Sequence, residues 1–181
     1  MDLSDVVIDT ERLRLVPISM DYAEVIFAEF TDEVTEFMYP RPAKEIEETR
    51  EFISGSVANL HEGSHLTMAI LDRVTGQFLG CAGLHGLSAV RPEFGVWLKK
   101  SAHGNHFGFE AVSALAQWAR QNLKCATLCY PVDERNTPSR RIPERLGGSV
   151  VGQSIVTSMS GRELRLLDYE IPVIGAQGSG S

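Results

Sequence analysis

The residues with the clearest chemical potential lie between His103 and Gly108. There His103-Gly104-Asn105-His106-Phe107-Gly108 open a run, Phe107 to Gln121, whose Ala111, Leu115, Trp118 and Ala119 recur at helical spacing. A helix starting there leaves its first N–H groups without intrahelical acceptors and turns the positive end of its dipole toward the loop. Such an end binds an anion, and a pyrophosphate suits it. Two glycines four residues apart before a helix also suit a plain tight connection, so the loop alone leaves both readings open. Histidine and cysteine offer less. Of the five histidines, His61 and His65 are spaced i,i+4 and His103 and His106 i,i+3. Neither pair carries the glutamate of an H-E-x-x-H helix, and no Cys-x-x-Cys is present. Cys125 and Cys129 would share one face of a strand but stand well apart. The expectation is no metal site. A G-x-S-x-G nucleophile elbow is also missing, which removes that route to a serine hydrolase.

The loop must be held by the elements beside it. Phe94-Gly95-Val96-Trp97-Leu98 reads as a strand with apolar residues on both sides, and Ala126-Thr127-Leu128-Cys129-Tyr130 as a second strand after the helix. Strand, loop, helix and strand make a βαβ unit, so the two strands are predicted parallel with a right-handed crossover. Upstream, Leu13 and Leu15, with Ile8 before them, suggest a first strand ending at Pro17. Ser19 could cap a helix with Ala23, Ile26, Phe27 and Phe30 on its apolar face, and Thr31 a short continuation through Val34, Phe37 and Met38. A further helix starts near Glu45, Glu47 and Glu48, with Ile46, Ile53, Val57 and Leu60 facing inward. Leu66 to Ile70 and Phe78 to Leu84 form an antiparallel hairpin in which Gly80, Gly83 and Gly86 suggest bulges or close backbone approach. After Asn136 comes a short helix that Gly147-Gly148 would end, with Pro143 awkward inside it. Val150 to Thr157 and Leu164 to Tyr169 close the chain as a hairpin joined near Ser160-Gly161.

Composition narrows the function classes. The 181 residues suffice for one domain with a substantial core, and 43% hydrophobic with 23% charged residues is ordinary for a soluble protein. A net charge of −7 without a basic stripe argues against nucleic acid as the main partner. Cys81, Cys125 and Cys129 sit in apolar runs as expected of reduced thiols in a cytoplasmic protein. No apolar run approaches membrane-spanning length, and the acidic N-terminus is no signal peptide. Residues 1–174 are read as a single domain and 175–181 as a Gly/Ser-rich, disordered tail.

Several of these stretches together resemble the GNAT superfamily of N-acetyltransferases. His103 to Gly108 fills the family's R/Q-x-x-G-x-G/A loop, and Glu93-Phe94-Gly95-Val96-Trp97-Leu98 is similar to its E-I-G-Y-W-L lead-in. Asn136-Thr137-Pro138-Ser139 with Glu144-Arg145-Leu146-Gly147 resembles N-x-x-S-x-x-x-x-E-K-L-G. Thr10-Glu11-Arg12-Leu13-Arg14-Leu15 resembles the T-E-R-L-x-L opening of the branch (RimJ/RimL-like) that acetylates ribosomal-protein N-termini. His106 stands where the family has glycine and His103 where it has Arg or Gln. Glycine there permits close backbone approach and an unusual dihedral, and histidine tolerates left-handed geometry better than most residues.

The resemblance implies an α/β fold: a mixed, mostly antiparallel central sheet flanked by helices, with one splayed parallel strand pair. It implies acetyl-CoA as acetyl donor, no metal, and transfer to an amine on a peptide N-terminus or small molecule by direct attack. It also allows a homodimer, and equally a fold that kept cofactor or protein binding without catalysis. His103, Gly104, Asn105, His106, Phe107, Gly108 and Phe109 would hold the pyrophosphate. Trp97, Leu98 and Lys99 would offer backbone groups to the pantetheine arm. Glu93 is the candidate general base, against the plainer reading of a solvated strand-end carboxylate. Ser139 would contact the cofactor near its sulfur or protonate the leaving thiolate, or else serve its own helix turn. Asn136 suits the amide-rich arm and also a helix N-cap. Tyr130 is a second candidate acid, though an aromatic in a strand is usually core.

Overall fold

The computed structural model describes residues 1–173, so the Gly/Ser-rich tail expected at 175–181 lies outside the described residues. In chain order the elements are β1 (Ile8–Asp9), β2 (Leu13–Pro17), α1 (Ala23–Glu29), α2 (Ile46–Glu62), β3 (Leu66–Asp72), β4 (Phe78–His85) and β5 (Glu93–Leu98). There follow α3 (Phe107–Asn122), β6 (Thr127–Asp133), α4 (Thr137–Arg145), β7 (Ser149–Thr157) and β8 (Glu163–Pro172). The strands form one eight-stranded sheet in the order β1-β2-β3-β4-β5-β6-β8-β7. Every pairing is antiparallel except β5 with β6, which is parallel. The mixed sheet and its single parallel junction are as the sequence predicts.

The sheet is covered on both faces. Phe30, just past α1, packs its ring 4.8 Å from Trp97 on one face. On the other, a Cβ at Gly108 in α3 would lie 3.2 Å from Ile142 of α4 and 3.8 Å from Leu98. Leu13, Leu15, Leu66, Met68, Ile70, Leu84, Leu115 and Leu128 are buried at the centre. Such burial, at about 25 cal/mol per Å² of apolar surface, is what holds the layers together. Gly80 is required by packing: a Cβ there would fall 2.1 Å from the Trp97 carbonyl, beside an irregular register between β3 and β4.

The structure corrects several local expectations. Ser19 precedes only a 3-10 turn, Met20–Tyr22, and its side chain makes no capping bond. Phe27 turns outward, 37% exposed, because α1 is only seven residues long and buries Ala23 and Ile26. The helical continuation expected through Val34, Phe37 and Met38 is a series of turns, held by Thr31 accepting from the Val34 N–H. The strand read as ending at Tyr130 continues as β6 through Pro131 to Asp133. Pro143 sits in the interior of α4, where its missing N–H deprives the Ser139 carbonyl of its i+4 donor. Gly147, at φ +79, ends that helix as expected.

Candidate functional site

The parallel junction is short. Glu93 opposite Cys129 is the one pair in register between β5 and β6, secured by the Cys129 N–H donating to the Pro92 carbonyl. Beyond it β5 runs on to Leu98 and β6 to Asp133 without pairing, so the strands part into a V. Main-chain groups alternate in direction along a strand, so Val96 and Leu98 point into the V with Pro92. Trp97 faces the other way, opposite Cys81 in β4, and the Lys99 N–H is taken by the Leu79 carbonyl. Of the three residues expected to offer backbone groups, Leu98 therefore lines the cleft; Val96 joins it.

Pro131 in β6 explains itself in this geometry. A proline in a central strand would lose a ladder bond. Its nitrogen faces the same edge as the Cys129 N–H, where β5 has already departed, so no bond is forgone.

At the wide end of β5 stands the turn into α3. His106 is the only residue other than glycine at positive φ among the described residues, with φ 61 and ψ 19, and it occupies the N-cap of α3. The conformation that the family's glycine would adopt is thus kept by a histidine, a residue type enriched in that region. The first intrahelical bond runs from the Glu110 N–H to the His106 carbonyl. The amides of Phe107, Gly108 and Phe109 consequently have no acceptor within the helix. Gly104 supplies a second left-handed residue at φ +80, and Asn105 turns its side chain inward onto the Ala102 and His103 carbonyls. His103 turns back toward the strand: its Nε2 lies 2.8 Å from the Leu98 carbonyl, so the ring bridges loop and strand end.

The loop is braced from the N-terminal strands. Arg12 donates from Nε to Glu110 at 2.7 Å and from Nη1 to the Asn105 carbonyl at 2.9 Å, and its guanidinium lies 4.6 Å from the Phe107 ring centroid. Thr10 also donates to Glu110. Beside this brace a recess of about 910 Å³ follows the outer side of α3 past His106, Phe109 and Arg145.

Glu93 and Ser139 lie on opposite faces of the sheet. Glu93 shares its face with His85, its partner in register, and with Cys129. The His85 ring rests over Gly95, its Nε2 2.9 Å from where a Cβ would sit. Glu93 is exposed, yet partial burial and then the neighbouring Asp168 carboxylate raise its pKa above the usual carboxylate value. Burial, aided by His65, lowers that of His85, favouring a neutral ring. Cys129 donates its thiol to Asp168 at 2.8 Å, and burial with that bond pushes its pKa up to about 12. It is a proton-holding thiol, not a nucleophile.

On the other face, the Tyr130 hydroxyl is 2.8 Å from Ser139 Oγ, and the Tyr130 ring packs against Phe94. Burial raises the phenol to about 12. Ser139 is aimed by the start of α4: Asn136 is the N-cap, accepting from the Ser139 N–H at 3.4 Å. The turn before it is fixed by Asp133, fully buried, which accepts from the Arg135 side chain and from the Arg135 and Arg165 amides. A molecule threaded between the strands would meet the serine–tyrosine pair on one face and the carboxylate on the other. His85, Asp168 and Val96 escaped the sequence reading because strand register, not any local motif, brings them here. Among the described residues no three His, Cys, Asp or Glu side chains gather as metal ligands, and no helix is long and apolar enough to cross a membrane.

The sequence profile of the acetyltransferase (GNAT) domain matches residues 12–149. The chain belongs to the GNAT acetyltransferase family. No curated protein matches it in sequence. Solved structures resemble this GNAT chain in fold at low identity. RimL, a ribosomal L7/L12 alpha-N-protein acetyltransferase in complex with coenzyme A, is 14% identical with TM-score 0.82, over 92% of this chain and 98% of that one. The Salmonella typhimurium acetyltransferase that modifies the N-terminal serine of L7/L12 gives 14% and 0.80, over 92% and 99%. A GCN5-related N-acetyltransferase from Brucella melitensis gives 16% and 0.77, over 96% and 81%. The mixed sheet with its single parallel junction is therefore that of a GNAT fold.

Proposed function

We propose that this chain is a cytoplasmic acetyl-CoA-dependent N-acetyltransferase acting on a primary amine, of a protein N-terminus or a small molecule. The observation that carries the reading is the parting of β5 from β6 beside the first turn of α3. The main-chain edge at Val96 and Leu98, where His103 already reaches the Leu98 carbonyl, leads to the amides of Phe107, Gly108 and Phe109 that lack intrahelical acceptors, where left-handed His106 turns the chain. Those amides suit a pyrophosphate, and the edge suits the amides of a pantetheine arm. When bound, acetyl-CoA supplies an activated thioester carbonyl.

The residues then have distinct tasks. Glu93, with its raised pKa, accepts the proton that an ammonium must lose before its nitrogen can attack. A poised carboxylate and fixed geometry need supply only part of the rate; orientation supplies several orders of magnitude more. As the C–N bond forms and the C–S bond breaks, the nitrogen, now cationic, loses its second proton and the departing thiolate gains one, so that the two transfers balance. Ser139, hydrogen-bonded to Tyr130, would pass a proton to the sulfur and be reprotonated in turn. No enzyme nucleophile is required, and the thiol nearest Glu93, Cys129, is held protonated. The acceptor would approach past the mixed-charge recess lined by Glu33, Glu36, Phe37 and Arg135, beyond the end of β6.

A binding module without catalysis is favoured by one feature: His103 already occupies the Leu98 carbonyl. Calorimetric titration with acetyl-CoA, followed by thiol release with a panel of peptides and small amines, separates the readings. Micromolar binding with amine-dependent thiol release supports the enzyme. Binding without release for any amine supports a cofactor-binding module, and no binding at millimolar acetyl-CoA rejects the enzyme and leaves a protein-interaction module.

A further inference from the structure

The row of side chains that Glu93 joins carries charges that the proposed chemistry leaves unused. Glu93 is paired in register with Cys129, and Cys129 in turn with Glu170 on β8. Opposed residues point to one face of a sheet, so the three side chains form a row across β5, β6 and β8. Asp168, two positions before Glu170, projects from the same face, and the Cys129 thiol donates to it at 2.8 Å. The ends of the row stand two strand spacings apart, about 10 Å at Cα. Between them lies the small Cys129 side chain, so the carboxylates of Glu93, Asp168 and Glu170 converge on one patch, an arrangement that like charges oppose.

Arg91 offsets them. Pro92 is buried and its carbonyl accepts from the Cys129 N–H, which pins the chain against β6 just before β5 begins. From that point Arg91 reaches over β6 to β8, with Nη1 3.1 Å from Glu170 and Nη2 3.6 Å from Asp168. All three side chains are 34–37% exposed, so water screens the contacts only in part. On its other flank Glu93 meets His85 of β4, which burial and then His65 hold toward the neutral ring; the His65 ring of β3 lies 5.4 Å behind. The charge balance at Glu93 is therefore set from β8 and from the arginine two positions before it. An ion pair could serve merely to fasten the connection between β4 and β5. This one places its cation and one of its anions beside a carboxylate of the cleft.

We infer that Arg91 and Asp168 act on Glu93 as an opposed charge pair, Arg91 favouring its ionised form and Asp168 its protonated form. With Glu93 as the base proposed above, on which this part rests, both are positioning residues for acetyl transfer. They act through Glu93 by governing how readily it takes its proton.

Titration of the Glu93 carboxyl by carboxyl-carbon NMR tests the pair in the full chain without cofactor, the resonance being identified by its loss in Glu93→Gln. Asp168→Asn is expected to lower the midpoint by about 0.5 in pH and Arg91→Ala to raise it by about as much, the size of a unit charge acting across a partly wet surface. Arg91→Lys, which keeps the charge, is expected to stay within about 0.2 of wild type. Circular dichroism checks that each variant keeps the fold. The acid limb of kcat/KM is expected to move in the same directions, since Glu93 must be ionised to act. A loosened connection would shift both variants the same way or neither, so displacement in opposite directions is the signature. Midpoints that stay put, or that move together, would overturn the inference. Midpoints that separate while the acid limb stays fixed would uphold the pair and remove Glu93 as the base, which tells the two failures apart.

Discussion

Replacing Asp133 with asparagine tests how α4 is aimed. The Asp133 carboxylate is fully buried at the end of β6 and accepts two bonds from the Arg135 side chain, at 2.8 and 2.9 Å, and one each from the Arg135 and Arg165 amides. The Arg135 side-chain bonds, with those amides, outweigh burial and hold its pKa at about 2 against an ordinary 3.8. A native pKa below the unfolded one means stability that is complete above about pH 4 and lost as pH falls toward 2. A shift of that size corresponds to about 2 kcal/mol at pH 7, falling to about 1 kcal/mol at pH 3. In a chain of this length about 2 kcal/mol lowers Tm by about 4–8 °C. Urea unfolding of wild type and Asp133→Asn at pH 7, 5 and 3 measures the difference directly. Agreement at pH 7 and 5 with a gap roughly halved at pH 3 is the expected pattern. A gap constant across the three pH values, or one below 0.5 kcal/mol at pH 7, would refute the assignment of that stability to the carboxylate.

Two further outcomes concern the cleft. Glu93→Gln is expected to lower kcat/KM by about 100-fold or more. The same change should abolish the acid limb of the pH–rate profile, which in wild type lies above the usual carboxylate range because Glu93 must be ionised to act. An acid limb that persists unchanged in the variant would assign it elsewhere. Arg12→Ala removes the brace between the β1–β2 turn and the α3 turn; half-exposed as that arginine is, the expected loss is about 1 kcal/mol of stability. Acetyl-CoA affinity should fall with it, read by calorimetry, and undiminished affinity would show that the turn holds its shape without the brace.

Much of the fold was legible because its signals are local. The helical spacing after His106, the strand at β3, the glycine at 147 and the parallel pairing expected of strand–helix–strand are each realised, though β3 is buried on both faces where alternation suggested one. The left-handed turn was also foreseeable, since a position shaped for glycine must impose its dihedral on whatever replaces it. What escaped was set across the sheet. Phe27 satisfies a helical period and still faces water, because α1 ends before its full apolar face meets a partner. Pro131 looks like a strand terminator until the neighbouring strand is known to have turned away. The neighbours that raise the Glu93 pKa include Asp168, which lies 75 positions along the chain (168 − 93) and is delivered only by the β6–β8 register.

Pro131 has a consequence beyond its own tolerance. Two parallel strands that diverge with open edges are liable to zip together, each new rung lengthening the ladder and sealing the space between them. At Pro131, two residues past the last pair, the strand has no hydrogen to offer, and the next rung cannot form in full. The proline therefore acts as a stop on the zipper. It keeps the gap open by the chemistry of one residue, so whatever enters displaces water rather than competing with the protein's own backbone.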